Sequence, residues 1–375
     1  MIEHGANPPT KSDVLIVGAG VAGRTAAGLL ARKGRTVQVL GGAVCGVPSG
    51  SRWVSSGVEP LLKALGVPAR DAAAEPVRGV AFHASDFSKR QEVSIGGGAG
   101  WFVDLADWNS RLTRSTAATA AADASGEAVA FRMREDEVVV GLADGTERAA
   151  RLLLLADGSP SRAAGAIGME LRPSLSSRWG AQLEWPATRG SRIAPGVLHW
   201  VLGIEGGAGL ATFWSAGGRE SLSVFASSAS VVQSWLARLL PGLVDSCGVV
   251  LPRDLPAGGA PARCVPAGLA LEIESHVGKR ALAIGDAGGF VAAATCEGIY
   301  PAMWSAQIAA EVADAALTGD CPQDELREFD ARWRGAMAEY LRPPNADLQF
   351  LLPLVFSNKQ MAERLARALL RGETL

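Results

Sequence analysis

Two glycine-rich segments near opposite ends of this 375-residue chain constrain its fold more than any other feature. The first spans residues 18–23 and follows the apolar run at 13–17. The second begins at Gly285-Asp286, follows the apolar run at 281–284, and leads into a long helical pattern over 300–317. A buried strand, a glycine turn and a helix together make a dinucleotide-binding unit. Two such units predict one dinucleotide that extends between the two loops.

Each glycine of the first loop has a separate predicted role. Gly18 permits the tight turn, Gly20 lets the main chain approach a pyrophosphate, and Gly23 lets the helix pack closely on the strand. The phosphates would face the free N–H groups of Val21 and Ala22 at the start of the helix over 21–33. The loop is therefore predicted to bind the diphosphate of the nucleotide.

The second strand, at 36–40, completes a β-α-β unit, but it does not end in the expected acidic residue. The position that usually accepts hydrogen bonds from the adenosine ribose is Gly41. Losing such a charge-assisted bond costs about 1.5–3 kcal/mol. We therefore expect weaker nucleotide binding, a substitute ligand from elsewhere in the chain, or a different nucleotide.

The second loop offers groups that suit the other end of a flavin nucleotide. The Asp286 carboxylate can accept hydrogen bonds from the hydroxyls of a ribityl chain. The N–H groups of Gly298 and Ile299, at the start of the next helix, carry partial positive charge and suit the electron-rich edge of an isoalloxazine ring. Together the two loops predict FAD as the cofactor.

Composition excludes several classes of protein. The chain is 48% hydrophobic and 20% charged, so it can form a large core. Its net charge of −2 gives no electrostatic basis for binding nucleic acid. The five cysteines lack a CxxC spacing and the four histidines are scattered, so no metal site is expected. The sequence shows neither a signal-peptide pattern nor an apolar run of about 20 residues, which favours a cytoplasmic protein with free thiols.

The pattern changes between residues 173 and 274, where tryptophans lie in alternating segments separated by glycine turns. We interpret this region as an antiparallel sheet inserted into an α/β, Rossmann-like domain. The predicted FAD-binding domain comprises residues 1–80, 98–172 and 275–340. The predicted substrate domain comprises 81–97 and 173–274, and a helical C-terminal segment spans 341–375.

Four segments match a known family in order: 18–23, Cys45-Gly46, 156–161, and 285–286 continuing to 297–299. With them the chain resembles the geranylgeranyl reductase branch of the para-hydroxybenzoate-hydroxylase-like flavoproteins. The resemblance implies FAD, a mixed α/β flavin domain and a β-sheet substrate domain. It also implies cofactor contacts from Gly46, Asp157 and Gly158. Members reduce isoprenoid double bonds, and related branches hydroxylate or halogenate small molecules.

Some positions depart from the family pattern. Gly41 replaces the acidic residue, and Leu105 stands where an arginine usually begins a helix that helps hold FAD. The chain also lacks the tryptophan-rich lysine motif of the flavin halogenases. The changes at Gly41 and Leu105 predict weaker FAD binding. The absence of the lysine motif makes a halogenase the less favoured alternative.

The predicted catalytic residue is Cys45, which by resemblance lies beside the flavin and could donate a proton after hydride transfer. The alternative is a small buried side chain with no chemical role. Cys296, Trp200 and Trp214 are predicted to line the substrate pocket, although such aromatics often belong simply to the core.

These residues leave three functions open. The first is an FAD-dependent reductase of a C=C bond in an apolar, isoprenoid-like substrate. Both glycine loops are assigned to FAD, and the sequence shows no further loop for a second nucleotide. The electron donor would therefore be NAD(P)H bound transiently or a ferredoxin-type protein. The second is a monooxygenase, either a hydroxylase or, with less support, a halogenase, acting on an aromatic or polyketide-like molecule. The third is a non-catalytic protein that binds flavin or a hydrophobic ligand.

The C-terminal helical pattern places Met361, Leu365 and Leu369 on one face and basic residues on others. A basic amphipathic helix can lie on a membrane surface. The ordinary alternative is that its apolar face packs against the helix's own domain.

Overall fold

The computed structural model describes residues 10–41, 50–68, 75–95, 98–117, 121–171, 177–253, 255, 260–319, 322–343 and 348–375. Its α-helices are α1 (Val21–Arg32), α2 (Val58–Ala64), α3 (Leu105–Ala117), α4 (Arg162–Ala166), α5 (Ala229–Cys247), α6 (Ile299–Thr318), α7 (Pro322–Leu341), α8 (Leu348–Ser357) and α9 (Lys359–Arg371). Its strands are β1 (Thr10–Val17), β2 (Val37–Gly41), β3 (Ser51–Ser55), β4 (Glu75–Pro76), β5 (Gly79–Ala84), β6 (Arg90–Ser94), β7 (Gly100–Asp104), β8 (Ala121–Ser125), β9 (Ala128–Met133), β10 (Val138–Leu142), β11 (Glu147–Leu155), β12 (Arg178–Pro186), β13 (Val197–Ile204), β14 (Gly209–Ala216), β15 (Arg219–Ala226), β16 (Arg263–Val265), β17 (Val277–Gly278) and β18 (Ala281–Ala283).

The first glycine loop belongs to an eight-stranded sheet with β1 at its centre. Strand β1 pairs in parallel with β2 and β11, β8 extends the sheet beyond β2, and β18 extends it beyond β11. Side chains of β1 alternate between two cores: Val14 and Ile16 pack on one face, and Leu15 and Val17 pack on the other. The predicted α/β, Rossmann-like fold is confirmed.

Helices α1 and α6 cover the first of these faces. Their buried positions include Ala26, Ala309 and Ala313, each fully excluded from solvent. Alanines let the helix backbones approach the sheet and each other closely. Helix α7 packs outside α6 and adds Phe329 and Trp333 to the same core.

The parallel order brings distant chain segments to one edge of the sheet. Strands β1, β2, β11 and β18 run in the same direction, so their carboxyl ends lie together. We call this the carboxyl edge; Gly18, Gly41, Ala156 and Ile284 lie at or directly after these strand ends. Ligands of open parallel sheets bind outside such an edge.

A second sheet has seven strands in the order β16-β12-β15-β14-β13-β5-β6. Its pairs are antiparallel except β5 with β13, which are parallel. The sequence predicts an antiparallel sheet here, and the parallel pair is the one difference. It arises because β5 enters from an earlier excursion of the chain, so no hairpin fixes its direction relative to β13.

The two faces of this sheet have different partners. One face, with Leu183, Trp185 and Phe213, packs against α5. The opposite face, with Phe82, Trp200 and Trp214, packs against the C-terminal helices α8 and α9. The C-terminal helices therefore occupy the side of the sheet where a substrate was expected.

The apolar face of α9 is buried against the second sheet. Leu365, Leu369 and Leu370 are all buried in the core beneath the second sheet. Of the two C-terminal helices, α8 keeps two large apolar side chains exposed, Phe350 at 81% and Leu354 at 47%. Membrane contact through these helices stays a prediction, and the amphipathic pattern of α9 is explained by packing. Within the described ranges, no helix has both the length and the apolar character needed to cross a bilayer.

A buried polar contact attaches the second glycine loop to α7. The His276 ring is fully buried, with Nδ1 3.1 Å from Asp330 Oδ1 and Nε2 2.8 Å from the Gly288 carbonyl oxygen. Asp330 also accepts hydrogen bonds from Ser275 Oγ and Trp333 Nε1. Burial alone would raise the pKa of the Asp330 carboxyl, but these donors outweigh it and hold the pKa well below its usual range.

We expect Asp330→Ala to lower the free energy of unfolding by about 2–3 kcal/mol, because several buried donors lose a charged acceptor. Urea denaturation at pH 7 measures the change. Asp324→Ala on the same helix is the matched control, because its carboxylate is 69% exposed and bonds only to the exposed Arg327. That control should stay within about 0.5 kcal/mol of the native chain. Equal effects of the two substitutions would contradict the role of Asp330.

Candidate functional site

The first loop is closed by contacts that only glycine allows. Gly18 has φ +114°, and a Cβ there would lie 2.1 Å from the Ala156 carbonyl oxygen. A Cβ on Gly23 would lie 1.9 Å from the Gly18 carbonyl oxygen. These approaches hold β1, α1 and the end of β11 together, as the sequence predicts for Gly18 and Gly23.

Gly20 differs from its two neighbours because the space around it is open. It is the N-cap of α1 with φ −77°, offers no side-chain cap, and a Cβ there would meet nothing within 4 Å. The first helical hydrogen bond runs from the Arg24 N–H to the Gly20 carbonyl oxygen. The N–H groups of Val21, Ala22 and Gly23 therefore precede the helical ladder and are available to an anion. A pyrophosphate fits at this position.

The second loop lies directly against the first. Gly285 has φ +58°, and a Cβ there would lie 2.7 Å from Ala22 Cβ. The Gly285 N–H donates to Ser305 Oγ at 3.0 Å, which fixes the loop to α6. The two glycine loops, more than 250 residues apart in sequence, therefore form one continuous surface at the carboxyl edge.

Asp286 presents a carboxylate on this surface. Its side chain is exposed although Gly285 and Ala287 beside it are buried, and no hydrogen-bond partner for it occurs among the described residues. Protein atoms surround much of this carboxyl even though the residue reaches solvent, and the partial loss of water raises its pKa to about 6. A polar group so placed fits the hydroxyls of a ribityl chain. Gly298 adjoins it, because a Cβ there would lie 3.3 Å from Asp286 Oδ1.

The segment after β11 also reaches the carboxyl edge. Asp157 accepts hydrogen bonds from Ser161 Oγ at 2.7 Å and from the Ala163 N–H at 3.0 Å. Its carboxylate therefore caps α4 and is not free for a ligand. Gly158, with φ +84° and open space around it, is the residue of this segment that a nucleotide can approach.

The end of β2, where the adenosine ribose of a dinucleotide would lie, has no acidic residue at Gly41, as the sequence indicates. Gly41 ends β2 in an exposed position, and a Cβ there would lie 3.3 Å from Ala19 Cβ. Leu105 is buried in the core beside α2 and α3. The structure adds Asn109, which sequence reasoning missed: its Nδ2 donates to the Ala19 carbonyl oxygen at 3.1 Å, while its buried Oδ1 has no partner in the described part of the chain. Nothing in the local pattern of α3 distinguishes Asn109 from an ordinary helix residue.

The start of α6 is capped by a buried acid. Glu297 Oε1 accepts from the Tyr300 N–H at 2.8 Å, and Oε2 accepts from the Tyr340 hydroxyl at 3.0 Å. Burial raises the pKa of the Glu297 carboxyl to about 7 against the opposing effect of these donors. The Tyr300 N–H is therefore already hydrogen-bonded to Glu297 and is not available to a ligand. The Ile299 N–H also stabilises this carboxylate, so the main chain at Gly298 is the part of the helix start most open to a flavin ring edge.

A cavity of about 200 Å³ opens beside this loop, between the β13–β14 hairpin and the C-terminal helices. We call it the side cavity. It is lined mostly by apolar and glycine residues: Leu202, Gly203, Gly207, Ala208, Gly209, Leu210, Phe225, Ala293, Ala294, Pro343, Leu352 and Leu369, together with Arg178 and Cys296. Its position next to the second glycine loop makes it the candidate substrate site.

Of the predicted pocket residues, Cys296 lines the side cavity and the two tryptophans do not. Trp200 and Trp214 are 0% and 1% exposed, and Trp214 Nε1 donates to Ser51 Oγ at 2.8 Å. The expectation for them is corrected: α8 and α9 cover this face of the sheet, so both side chains belong to the core. The predicted catalytic Cys45 and its neighbour Gly46 lie outside the described residues.

Cys296 has an unusual backbone and a fully protonated thiol. Its φ is +55°, a region that favours glycine. Burial raises the pKa of the thiol to about 12, and the positive charge of Arg178 opposes that shift. At neutral pH the thiol holds its proton, with a cation near enough to stabilise the thiolate that proton donation would leave.

The histidines of the second sheet do not reach this site. His83 Nε2 lies 3.0 Å from His199 Nδ1, and both rings are buried on the face that packs against α5. Burial lowers the pKa of His83 to about 4 and that of His199 as well. They form a neutral structural pair. The described residues also contain no cluster of three potential metal ligands.

No protein-family model matches the chain, and no curated protein matches its sequence. Solved structures do match in fold. A geranylgeranyl bacteriochlorophyll reductase-like protein from Thermoplasma acidophilum has a TM-score of 0.73 at 16% identity, covering 98% of this chain and 93% of the other. PqsL, a probable FAD-dependent monooxygenase from Pseudomonas aeruginosa, has a TM-score of 0.66 at 18% identity, covering 94% and 98%. CtdE in complex with FAD has a TM-score of 0.63 at 15% identity, covering 96% and 100%. The likeness shows that the chain shares the fold of these three proteins.

The raised pKa of Glu297 predicts a pH-dependent stability. The folded chain keeps a proton, with a pKa of about 7, that the unfolded chain releases near its ordinary value of 4.5. This contribution to stability is complete below pH 4.5 and is lost as the pH rises through about 7. Glu297→Gln, which imitates the protonated acid, should have a free energy of unfolding within about 1 kcal/mol of the native chain at pH 5, and its advantage should grow by about 1–3 kcal/mol by pH 8.

Urea denaturation of both proteins at pH 5, 6.5 and 8 tests this. The lowered pKa values of His83 and His199 make stability rise with pH in part of the same range, but they are common to both proteins and cancel in the difference. Glu339→Gln, an exposed change on α7, should show no such trend. A stability difference that is constant from pH 5 to 8 would rule out a buried, protonated Glu297.

Proposed function

We propose that the chain is an FAD-dependent oxidoreductase that acts on a compact apolar molecule. The observation that carries this proposal is the single surface made by the two glycine loops. It offers an open, uncapped helix start at Gly20 and, at Asp286, a carboxylate that has no hydrogen-bond partner among the described residues. These groups suit the two halves of one flavin dinucleotide and have no evident structural use.

The proposed cofactor contacts follow from that surface. Gly20, Val21 and Ala22 would hold the pyrophosphate through main-chain N–H groups. Asp286 would accept from the ribityl hydroxyls, and the main chain at Gly298 and Ile299 would face the ring. Gly18, Gly23 and Gly285 allow the close packing that shapes the surface. Asn109 is proposed to orient the first loop through the Ala19 carbonyl.

Bound FAD supplies hydride-transfer chemistry, while the protein binds, orients and shields the reactants. The side cavity would exclude water from an apolar substrate through its leucine, phenylalanine and glycine lining. A thiol would hold the proton that completes the reduction of a C=C bond. Cys45 remains the predicted donor, and Cys296 is a second thiol already placed at the side cavity. NAD(P)H or a ferredoxin-type protein is proposed as the electron donor.

The size of the side cavity limits the substrate. Liquid water takes about 30 Å³ per molecule, and a methylene group is of similar size. A cavity of about 200 Å³ has room for a single ring with a short side chain. We accordingly propose a compact substrate rather than a long isoprenoid chain.

A monooxygenase is the second candidate, because a small apolar cavity also suits an aromatic molecule and PqsL, which shares the fold, is described as a probable monooxygenase. A non-catalytic ligand-binding protein is the third. Its support is the pair of missing cofactor contacts at Gly41 and Leu105.

The pyrophosphate position is tested by Gly20→Ala. The new methyl group meets no protein atom, so the fold and its melting temperature should be unchanged. The methyl group would stand between the phosphates and the helix start, and FAD affinity should fall at least about tenfold. Quenching of flavin fluorescence on titration with protein gives the affinity.

Gly335→Ala in α7 is the matched control, since a Cβ there also meets nothing within 4 Å. It should leave FAD affinity unchanged. Native affinity in Gly20→Ala would show that the diphosphate lies elsewhere, and a native chain that binds no FAD would end the proposal.

The reaction class is tested with reduced, FAD-loaded protein. A reductase should be reoxidised without oxygen by compact conjugated alkenes such as 2-cyclohexenone or cinnamate. Cys45→Ala should slow this step about a hundredfold if Cys45 donates the proton. Cys247→Ala, on the α5 side of the second sheet, is the control thiol. Reoxidation that instead requires oxygen and yields a hydroxylated product would favour the monooxygenase.

A further inference from the structure

The side cavity is apolar except at one point. Among its lining residues, Arg178 is the only one with a permanent charge, and none is a carboxylate in the part of the chain that the structure describes. Cys296 does not supply a negative charge, because its thiol stays protonated at neutral pH. The cavity therefore carries a positive charge that its own lining does not balance.

Strand geometry directs Arg178 into the cavity. It begins β12, and side chains two residues apart in a strand share a face, so Arg178 and Gly180 point the same way. The Phe225 ring lies over Gly180, where a Cβ would meet Phe225 Cδ1 at 2.7 Å. The guanidinium and an aromatic ring thus form adjacent parts of one wall.

The Arg178 guanidinium has no hydrogen bond or ion pair with any described residue. Two other arginines near this sheet are paired: Arg52 Nη1 lies 3.7 Å from Glu184 Oε1, and Arg219 Nε lies 3.4 Å from Glu184 Oε2. An arginine stays charged, and a partly buried charge without a partner costs free energy. A cation left in this state inside a cavity indicates a ligand that brings the anion.

We propose that the side cavity binds a compact apolar molecule with one planar two-oxygen acid group, such as a carboxylate, and that Arg178 holds that group. The proposal rests on the proposed function only in identifying this ligand as the substrate. A planar acid matches the fork of the guanidinium with two parallel hydrogen bonds. The apolar body would lie against Phe225, Leu202 and Leu352. Arg178 would then be a specificity-determining residue, and it would fix which end of the substrate faces Cys296.

Isothermal titration of the full chain with three probes of similar size tests the proposal: phenylacetate, phenylacetamide and 2-phenylethylamine. They are respectively anionic, neutral and cationic at pH 7. The native chain should bind the acid about ten- to a hundredfold more tightly than the amide, and the amine most weakly. Arg178→Met, which keeps length and apolar surface, should bind acid and amide equally.

Arg263→Met on the neighbouring strand β16 is the matched control, because Arg263 is exposed and does not line the cavity. It should keep the native preference for the acid. Arg178→Met should melt no lower than the native chain, because it removes an unbalanced charge. A lower melting temperature combined with a preserved acid preference would assign Arg178 a structural role and overturn the proposal. Equal binding of acid and amide by the native chain would overturn it as well.

The titrations are run with and without saturating FAD, and FAD affinity is measured separately by flavin fluorescence. Failure to bind FAD would end the proposed function but would leave the acid preference of the cavity measurable. Normal FAD binding without any acid preference would end the inference about Arg178 and leave the proposed function standing.

Discussion

The architecture of the site depends on three places where main-chain segments pack so closely that only glycine fits. A Cβ on Gly18 would collide with the end of β11, one on Gly23 would collide with Gly18, and one on Gly285 would collide with Ala22. These approaches join β1, α1, β11 and β18 at the carboxyl edge of the parallel sheet. Gly20 stands among them with open space around it, so the same packing that closes the loops leaves one helix start accessible. Structure and binding surface therefore come from the same set of glycines.

A second constraint acts from behind the site. Helix α7 carries two polar anchors, Asp330 and Tyr340, that reach opposite ends of the second loop. Asp330 binds His276, whose ring holds the Gly288 carbonyl, and Tyr340 binds Glu297 at the start of α6. Asp286 lies two residues before the anchored Gly288, and Cys296 lies one residue before the anchored Glu297. A helix that touches neither predicted ligand thus sets the position of both ligand-facing segments.

The parts of the site that sequence predicts are those fixed by local geometry. Glycine spacing after an apolar strand specifies a turn, and the structure places Gly18, Gly20 and Gly285 in the expected turns. Side-chain alternation likewise shows which residues of a strand share a face. It does not show what covers that face, and for this reason Trp200 and Trp214 were expected in a pocket and lie in the core. Arg178 and Asn109 were missed for the same reason, since their importance comes from segments far away in the chain that pack beside them.

The C-terminal helices decide how much of the second sheet a ligand can use. The apolar face that contains Trp200 would suit a long hydrocarbon, but Leu365 and Leu369 of α9 and Val355 of α8 already fill it. What remains is the side cavity, at the end of the sheet where Arg178, the β13–β14 hairpin and the second glycine loop meet. Resemblance to isoprenoid reductases therefore concerns the cofactor surface, whereas the ligand volume is set by a different segment of the chain. If the side cavity is the substrate site, as proposed, the C-terminal helices would limit the size of the substrate and the charge of Arg178 would select its type.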